Sequence, residues 1–111
     1  MDVERFRAEL REAGVEEMIG DLLDTFLQDA PERFAVLELA AQSGDSTAIA
    51  AAAHAFKSGA GTIRASVLAD RLAELEAAGR TNRLESLGEL IEQIRTEHLA
   101  VLGELEATHA K

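Results

Sequence analysis

The chain has 111 residues, 47% of them hydrophobic and none of them cysteine, which fits one domain with its own core and excludes disulfides, thiol chemistry and thiolate metal sites. With 21 acidic against 11 basic residues, the formal net charge of −10 argues against nucleic acid or an anionic membrane as a partner. The acidic N-terminus is unlike a secretory signal and no apolar run reaches the length of a membrane span, so we expect a single cytoplasmic domain over residues 1–111.

Helical periodicity covers almost the whole chain, and no stretch shows the alternation that is typical of a strand. A short first helix is predicted from about Val3 to Ala13, and a second from about Val15 to Asp29. The second helix carries a wider apolar band than one core contact requires, so we expect part of that band to be exposed. Pro31 suits the first position of a helix, and a third helix is therefore predicted to begin there and to end at Ser43-Gly44.

The fourth predicted helix follows Asp45, whose side chain is placed to accept hydrogen bonds from the free amides at the helix start. At about 100° per residue, one side of this helix forms a core-facing stripe made of Ile49, Ala53, Phe56, Ala60 and Ile63. His54 points roughly 140° away from the centre of that stripe, and it shares its side of the helix with Ala50, Lys57, Ser58 and Gly61. His54 is therefore predicted to face water.

After a turn near residues 61–65, a fifth helix is predicted to run to Gly79, with leucines 68, 72 and 75 turned inward. The last helix is predicted to open at Thr81 or Asn82, because Asn82 and Glu85 have the spacing of a capping box. Its apolar stripe comprises Leu84, Leu87, Ile91, Ile94, His98, Val101 and Leu105. The inward position of His98 indicates a partly buried, hydrogen-bonded histidine rather than a ligand.

Long amphipathic helices joined by short loops predict an all-α fold. The expected arrangement is an antiparallel, up-down-up-down four-helix bundle with an additional short N-terminal helix. In this arrangement the helix predicted after Pro31 is a further decoration of the bundle.

The segment that begins at His54 combines an imidazole and an ammonium group, three residues apart, with very small side chains. Neutral imidazole keeps one unprotonated nitrogen as a nucleophile near pH 7. A glycine inside a helix costs about 1 kcal/mol relative to alanine, so Gly59 and Gly61 need a reason, which the close approach of a partner protein would supply. The alternative is that one of these glycines ends the helix and that His54 is an idle surface residue.

The segment His54-Ala55-Phe56-Lys57-Ser58-Gly59 resembles the signature of histidine-containing phosphotransfer (HPt) domains, in which histidine is followed by any residue, an apolar residue, lysine and small residues. The resemblance extends to Leu22–Arg33 and Gly44-Asp45 before it and to Ala65, Leu68, Leu72, Leu75 and Glu76 after it, so it covers nearly the whole chain. One departure is Ser58-Gly59, because the family more often has glycine directly after the lysine. This departure replaces one small residue with another.

The resemblance implies that His54 accepts a phosphoryl group and that Lys57 stabilises it, with an attraction of roughly 1 to 4 kcal/mol at contact distance. The implied donor is the phosphoaspartate of a response-regulator receiver domain, or a sensor histidine kinase, and the acceptor is the aspartate of a receiver. No ATP-binding or metal-binding motif occurs, so we expect a phosphoryl carrier without a cofactor or metal, rather than an enzyme. The expected docking face comprises Ala50, Ala51, Ser58 and Gly61, with Leu23 and Leu27 of the second predicted helix.

Three alternatives stay open at this point. The chain could be an adaptor or inhibitor that binds receivers without phosphotransfer, although intact His54 and Lys57 argue against it. It could be the histidine domain of a chemotaxis-type kinase, whose partner would be an ATP-binding kinase domain, although a final helix that runs almost to Lys111 favours a free-standing protein. A purely structural helical bundle is the third alternative.

Overall fold

The computed structural model describes Ala8 and residues 17–109, and its regular structure over these residues is entirely helical. Four helices follow one another in this part of the chain: α1 (Glu17–Ser43), α2 (Ser46–Thr62), α3 (Ser66–Arg80) and α4 (Leu87–His109). The predicted all-α class is confirmed. The short helix predicted over residues 3–13 lies outside the described residues apart from Ala8. None of the helices described here is long and apolar enough to cross a membrane.

Helix α1 runs without a break through Pro31, so the predicted helix boundary at that residue is wrong. Proline inside a helix removes one backbone hydrogen bond and crowds the preceding turn, at a cost of about 3 kcal/mol. The same helix buries an unbroken apolar stripe made of Leu23, Phe26, Ala30, Phe34 and Leu37. Each large side chain in this stripe contributes about 1.5–3 kcal/mol on burial, so packing on both sides of Pro31 outweighs its local cost.

Helix α2 begins as the sequence predicts. Gly44 adopts a φ of +71°, which a glycine reaches without strain, and it separates α1 from α2. Asp45 then caps α2, because its Oδ1 accepts the backbone N–H groups of Thr47 at 3.1 Å and of Ala48 at 3.3 Å. The predicted core stripe is confirmed, since all five of its members are buried: Ile49, Ala53, Phe56, Ala60 and Ile63.

The turn after α3 corrects the prediction for the start of the last helix. Asn82 has a φ of +54° and ends α3, with its N–H donated to Gly79 O at 3.3 Å, while Arg83 N–H reaches back to Ala78 O at 2.9 Å. These two bonds form the double closure that often ends a helix with a left-handed residue, and asparagine tolerates that conformation. Asn82 therefore caps the helix before it, and the last helix, α4, begins only at Leu87.

Each helix packs against the next one in the chain, and α4 returns to contact α1. Helices α2 and α3 approach each other closely at Gly79, where a Cβ atom would lie 2.8 Å from both Ala50 N and Ser46 O. This contact needs glycine, and it draws the two helices together. The apolar stripe of α4 is confirmed at its inward positions, which are Ile91, Ile94, His98, Val101 and Leu105.

His98 is buried, as predicted, but the expected hydrogen bond is absent at Nδ1, which has no partner among the described residues. The ring instead packs between aromatic side chains. Its centroid lies 5.1 Å from the stacked ring of Phe34 and 5.5 Å from Phe56, which it meets edge-on. Burial lowers the pKa of His98 below its ordinary value, so the neutral ring is the form that this core accepts.

Candidate functional site

His54 projects from the solvent-facing side of α2, so its predicted exposure is confirmed. Its side chain is 58% exposed, whereas the neighbouring Ala53 is fully buried. Lys57 lies one helical turn further on, with its side chain 34% exposed. The rigid core stripe of α2 fixes where both side chains leave the helix, and the core-facing half of the helix cannot rotate outward without exposing Phe56.

Glu76 of α3 contacts both His54 and Lys57 on α2. This carboxylate is buried, and its Oε2 lies 3.1 Å from His54 Nδ1, across 22 positions of sequence. Its Oε1 lies 2.6 Å from Lys57 Nζ, and Arg80 Nη2 lies 2.5 Å from Oε2. Oε1 accepts no aligned hydrogen bond from a described residue, so the Lys57 contact is an ion pair. One carboxylate thus faces an imidazole and two cations.

Glu76 belongs to the resemblance as the second residue of the pair Leu75-Glu76, but the sequence pattern predicted no role for it. A usable signal was present, because Glu76 follows Leu72 by four positions and therefore continues the inward stripe of α3. A carboxylate at such a position is stable only with partners. Pattern alone, however, does not identify those partners on another helix.

The ionisation of Glu76 bears on which nitrogen of the neutral His54 ring carries the hydrogen. The pKa of Glu76 lies below its ordinary value, first because of the contact with Lys57, then because of those with His54 and Arg80, while burial opposes the shift. The carboxylate is therefore ionised near pH 7 and can only accept hydrogen bonds. In the neutral ring, Nδ1 of His54 therefore carries the hydrogen that faces Glu76, and Nε2 keeps the free lone pair.

An exposed histidine with one nitrogen anchored to a buried carboxylate and with a lysine one turn away suits the transfer of an anionic group. Residues 21–107 of the chain match the family model of the Hpt domain. The chain belongs to the Hpt family. Members of this family are phosphoryl carriers, and this Hpt domain serves histidine phosphotransfer in a two-component phosphorelay, with partners such as receiver domains or kinases.

A solved structure supports the assignment. The Hpt domain is similar to histidine-containing phosphotransfer protein B (HptB) from Pseudomonas aeruginosa PAO1, with 36% sequence identity and a TM-score of 0.85. The match covers 94% of this chain and 90% of the other. A comparison with curated protein sequences gives no significant match.

The expected docking residues are only partly brought together in this Hpt domain. Ala51, Ser58 and Gly61 are exposed on the same face of α2 as His54. Ala50 is half-buried where α2 meets Gly79, so it borders that face on the α3 side. The exposure expected of Leu23 is wrong, because Leu23 is only 4% exposed and starts the buried stripe of α1; Leu27 is half-buried against the core.

The two glycines of the signature segment differ in their surroundings. Helix α2 continues past both of them to Thr62, so neither ends it. A Cβ atom at Gly59 would make ordinary contact with the ring of Phe26 at 3.7 Å, whereas one at Gly61 would meet nothing within 4 Å. Packing inside the described part of the chain therefore gives no reason for Gly61. Over the same residues, no group of histidine, aspartate and glutamate side chains is arranged to hold a metal ion.

Proposed function

We propose that Nε2 of His54 carries the phosphoryl group in the phosphorelay, with Lys57 as its electrostatic partner and Glu76 as the residue that orients the ring. The observation that carries this proposal is the contact between His54 Nδ1 and the buried carboxylate of Glu76. It leaves Nε2 as the one ring nitrogen with a lone pair. The exposed position of the side chain gives a visiting aspartyl phosphate room to approach.

The transfer step follows from this arrangement. The lone pair of Nε2 attacks the phosphorus of a receiver's phosphoaspartate, the P–N bond forms, and the P–O bond to the aspartate breaks with its electron pair on the leaving carboxylate. The hydrogen on Nδ1 stays where it is, so the phosphorylated ring gains a positive charge. Glu76 faces that charge at 3.1 Å and compensates it. Unloading onto the next receiver aspartate is the reverse sequence of bond changes.

Glu76 therefore has the part that a buried carboxylate has beside a catalytic histidine: it selects the tautomer and stabilises the charged ring without taking the proton. Lys57 contributes at the other end of the reaction. Its ammonium is held by Glu76 Oε1 before transfer, one turn of α2 from His54, where a phosphoryl group offers a second anionic contact. Arg80 adds a further positive charge on the same carboxylate.

The proposed partners are a receiver phosphoaspartate or a sensor histidine kinase as donor and a receiver aspartate as acceptor. We place the docking face on the exposed side of α2, formed by Ala51, Ser58 and Gly61 and bordered by Ala50. The sequence has no ATP-binding motif, which supports a carrier rather than an enzyme. The cytoplasmic location and the antiparallel up-down-up-down arrangement stay part of this proposal; the latter is supported by the way each helix packs on the next and α4 on α1.

The first experiment supplies the protein with a receiver phosphorylated on its aspartate. We expect acid-labile, alkali-stable label on the wild-type protein and none on His54→Gln, with equal helicity by circular dichroism. His109→Gln is the matched control and should be labelled like the wild type. Label that persists on His54→Gln would disprove the assignment of His54, and a wild-type protein that binds the receiver without becoming labelled would instead be an adaptor.

A second experiment tests Lys57. In Lys57→Ala we expect slower transfer or a shorter lifetime of the phosphohistidine, because the ammonium no longer faces the phosphoryl oxygens. Circular dichroism should show an unchanged fold, since Lys57 takes no part in the apolar core. Identical rates and lifetimes in both proteins would show that Lys57 has no electrostatic role.

A further inference from the structure

Ser58 stands where the chain departs from the usual family pattern, in which glycine more often follows the lysine. A glycine at this position has no polar side chain, whereas serine brings a hydroxyl that both donates and accepts hydrogen bonds. Ser58 is exposed and lies four residues, or about one helical turn, after His54. Side chains at this spacing have Cβ atoms about 5–6 Å apart, so Ser58 and His54 are neighbours on the surface of α2.

The fold makes little use of the Ser58 hydroxyl. Within the described part of the chain, its hydrogen bond is the one that Ser58 Oγ donates to His54 O, at 3.3 Å. This distance is long for a hydroxyl donor, which usually lies about 2.7–2.8 Å from an acceptor oxygen. The next hydroxyl along α2 makes the same kind of bond at a shorter distance, since Thr62 Oγ1 donates to Ser58 O at 2.9 Å. The Ser58 hydroxyl is therefore weakly held, and rotation about its Cα–Cβ bond frees it to donate elsewhere.

The anchored ring of His54 directs its free nitrogen toward the Ser58 side. Nδ1 faces Glu76 of α3 at 3.1 Å. The two nitrogens lie on opposite edges of an imidazole, so the lone pair of Nε2 points outward and away from α3. At about 100° per residue, Lys57 lies about 60° around the helix from His54 on the α3 side, and Ser58 lies about 40° from it on the other side. A phosphoryl group on Nε2 therefore leans toward Ser58.

We propose that the hydroxyl of Ser58 donates a hydrogen bond to a phosphoryl oxygen on Nε2 of His54 and so prolongs the lifetime of the phosphohistidine. The inference deepens the proposed function and rests on it, because it requires His54 to carry the phosphoryl group. Lys57 on one side of the ring and Ser58 on the other then give the same anion a charged and a neutral donor. In a loose, metaphosphate-like transition state the phosphoryl oxygens carry less negative charge than in the bound group. A donor to these oxygens therefore stabilises the loaded ring more than the transition state for its hydrolysis.

Three variants at position 58 separate the hydroxyl from the size of the side chain. Ser58→Ala removes the hydroxyl and keeps Cβ, Ser58→Thr keeps the hydroxyl, and Ser58→Gly introduces the residue that the family more often has. Thr62→Ala is the matched control, because it deletes another hydroxyl of α2 that bonds to the carbonyl four residues earlier, but about two helical turns from His54. Circular dichroism checks that all four variants are folded.

The experiment measures the loaded protein without a receiver, because Ser58 also lies on the proposed docking face. Phosphoramidate loads each protein, with ammonia leaving as the P–N bond to His54 forms; a variant that resists this donor is loaded by a phosphorylated receiver that is then removed. The decay of acid-labile label is followed after the donor is removed. We expect the half-life of the phosphohistidine to be roughly two- to tenfold shorter in Ser58→Ala and Ser58→Gly, which is the effect of one net hydrogen bond. Ser58→Thr and Thr62→Ala should both stay close to the wild type.

Each other outcome has a defined meaning. If neither phosphoramidate nor a phosphorylated receiver labels His54 in the wild type, the proposed function itself fails. If the wild type is labelled but Ser58→Ala loses its label at the same rate, this inference fails alone. It also fails if only Ser58→Gly decays faster, because the side chain then shields the phosphoryl group by its size. A half-life shortened equally in Thr62→Ala would overturn it too, since the loss would then come from α2 as a whole.

Discussion

Gly79 offers a direct test of how the spacing between α2 and α3 controls the site. In Gly79→Ala the new Cβ would lie 2.8 Å from Ala50 N and Ser46 O, which are backbone atoms and cannot move alone. Ordinary contact distances are about 3.5 to 4.0 Å, so the helices must separate by about 1 Å. Glu76 lies one turn before Gly79 on α3, and its contact with His54 Nδ1 is 3.1 Å long. A separation of about 1 Å breaks a hydrogen bond of that length.

The expected loss of stability combines two opposing effects. Overpacking against backbone costs about 2–3 kcal/mol here, and alanine in place of a helical glycine recovers about 0.5–1 kcal/mol. The net loss of about 1–2.5 kcal/mol corresponds to a fall in Tm of roughly 4–15 °C for a domain of this size. Gly103→Ala is the matched control, because a Cβ there meets nothing within 4 Å and Gly103 lies inside α4. We expect it to raise Tm.

The assay is thermal unfolding by circular dichroism, followed by phosphotransfer well below the Tm of both variants. Gly79→Ala should be less stable than Gly103→Ala and should also transfer more slowly while fully folded. If Gly79→Ala is as stable as Gly103→Ala, the argument from close packing is wrong. If it is destabilised but transfers at the wild-type rate, interhelical spacing does not control the contact between His54 and Glu76.

Three further predictions follow from the same contacts. In Glu76→Gln, ¹⁵N NMR should show a smaller Nδ1–H population of the His54 ring, and phosphotransfer should slow by roughly tenfold or more. Glu74→Gln on the same helix should change neither. An unchanged tautomer in Glu76→Gln would contradict the orienting role of Glu76. Because the pKa of His98 is lowered on folding, the free energy of unfolding should fall as the pH drops below 6.5. In urea titrations at about pH 7 and 5, His98→Leu should remove part of that loss. An equal change in the free energy of unfolding between the two pH values in both proteins would refute this. Pro31→Ala should raise the free energy of unfolding by about 1–3 kcal/mol in the same titration, because it restores a backbone hydrogen bond within α1. An unchanged free energy of unfolding would show that α1 already compensates for the proline locally.

As the pH falls, the losses of stability caused by the two perturbed groups begin at different pH values. The pKa of Glu76 is lowered from 4.5, so its contribution to stability is complete above that pH and disappears as the pH falls through the folded-state value. The lowered pKa of His98 acts in the same direction. The unfolded chain takes up a proton on this residue near 6.5, whereas the folded core resists it, so the loss begins there. Titration from pH 6.5 down to about 4.5 therefore separates the contribution of His98 from that of Glu76.

Rules based on helical spacing and capping predicted those features that depend only on residues close together in the chain. Asp45 caps α2 through amides two and three positions away, and the stripe around Phe56 follows from helical spacing alone. The exposure of His54 follows from the same spacing. Local rules were wrong where a distant contact decides. Pro31 marks a helix start by local preference, yet packing on both sides of it makes one continuous helix.

Two further errors have similar origins. Asparagine is favoured both before a helix and in the left-handed position after one, so Asn82 fits either assignment until the backbone is known. Leu23 belongs to a broad apolar band whose buried side depends on how α1 is rotated against the bundle. The role of Glu76 depends on the register between α2 and α3, which the close contact at Gly79 sets and which no single-helix pattern contains.

The anchoring of the imidazole to Glu76 also bears on the direction of signalling. In the transfer step proposed for His54, the ring hydrogen is retained throughout, so that neither loading nor unloading exchanges a proton with the solvent. The forward and backward reactions then differ only in which aspartate holds the phosphoryl group. Such a carrier does not by itself favour one direction of phosphoryl transfer. The relative stabilities of the acyl phosphates on its two partners, and the amounts of each, decide where the signal flows.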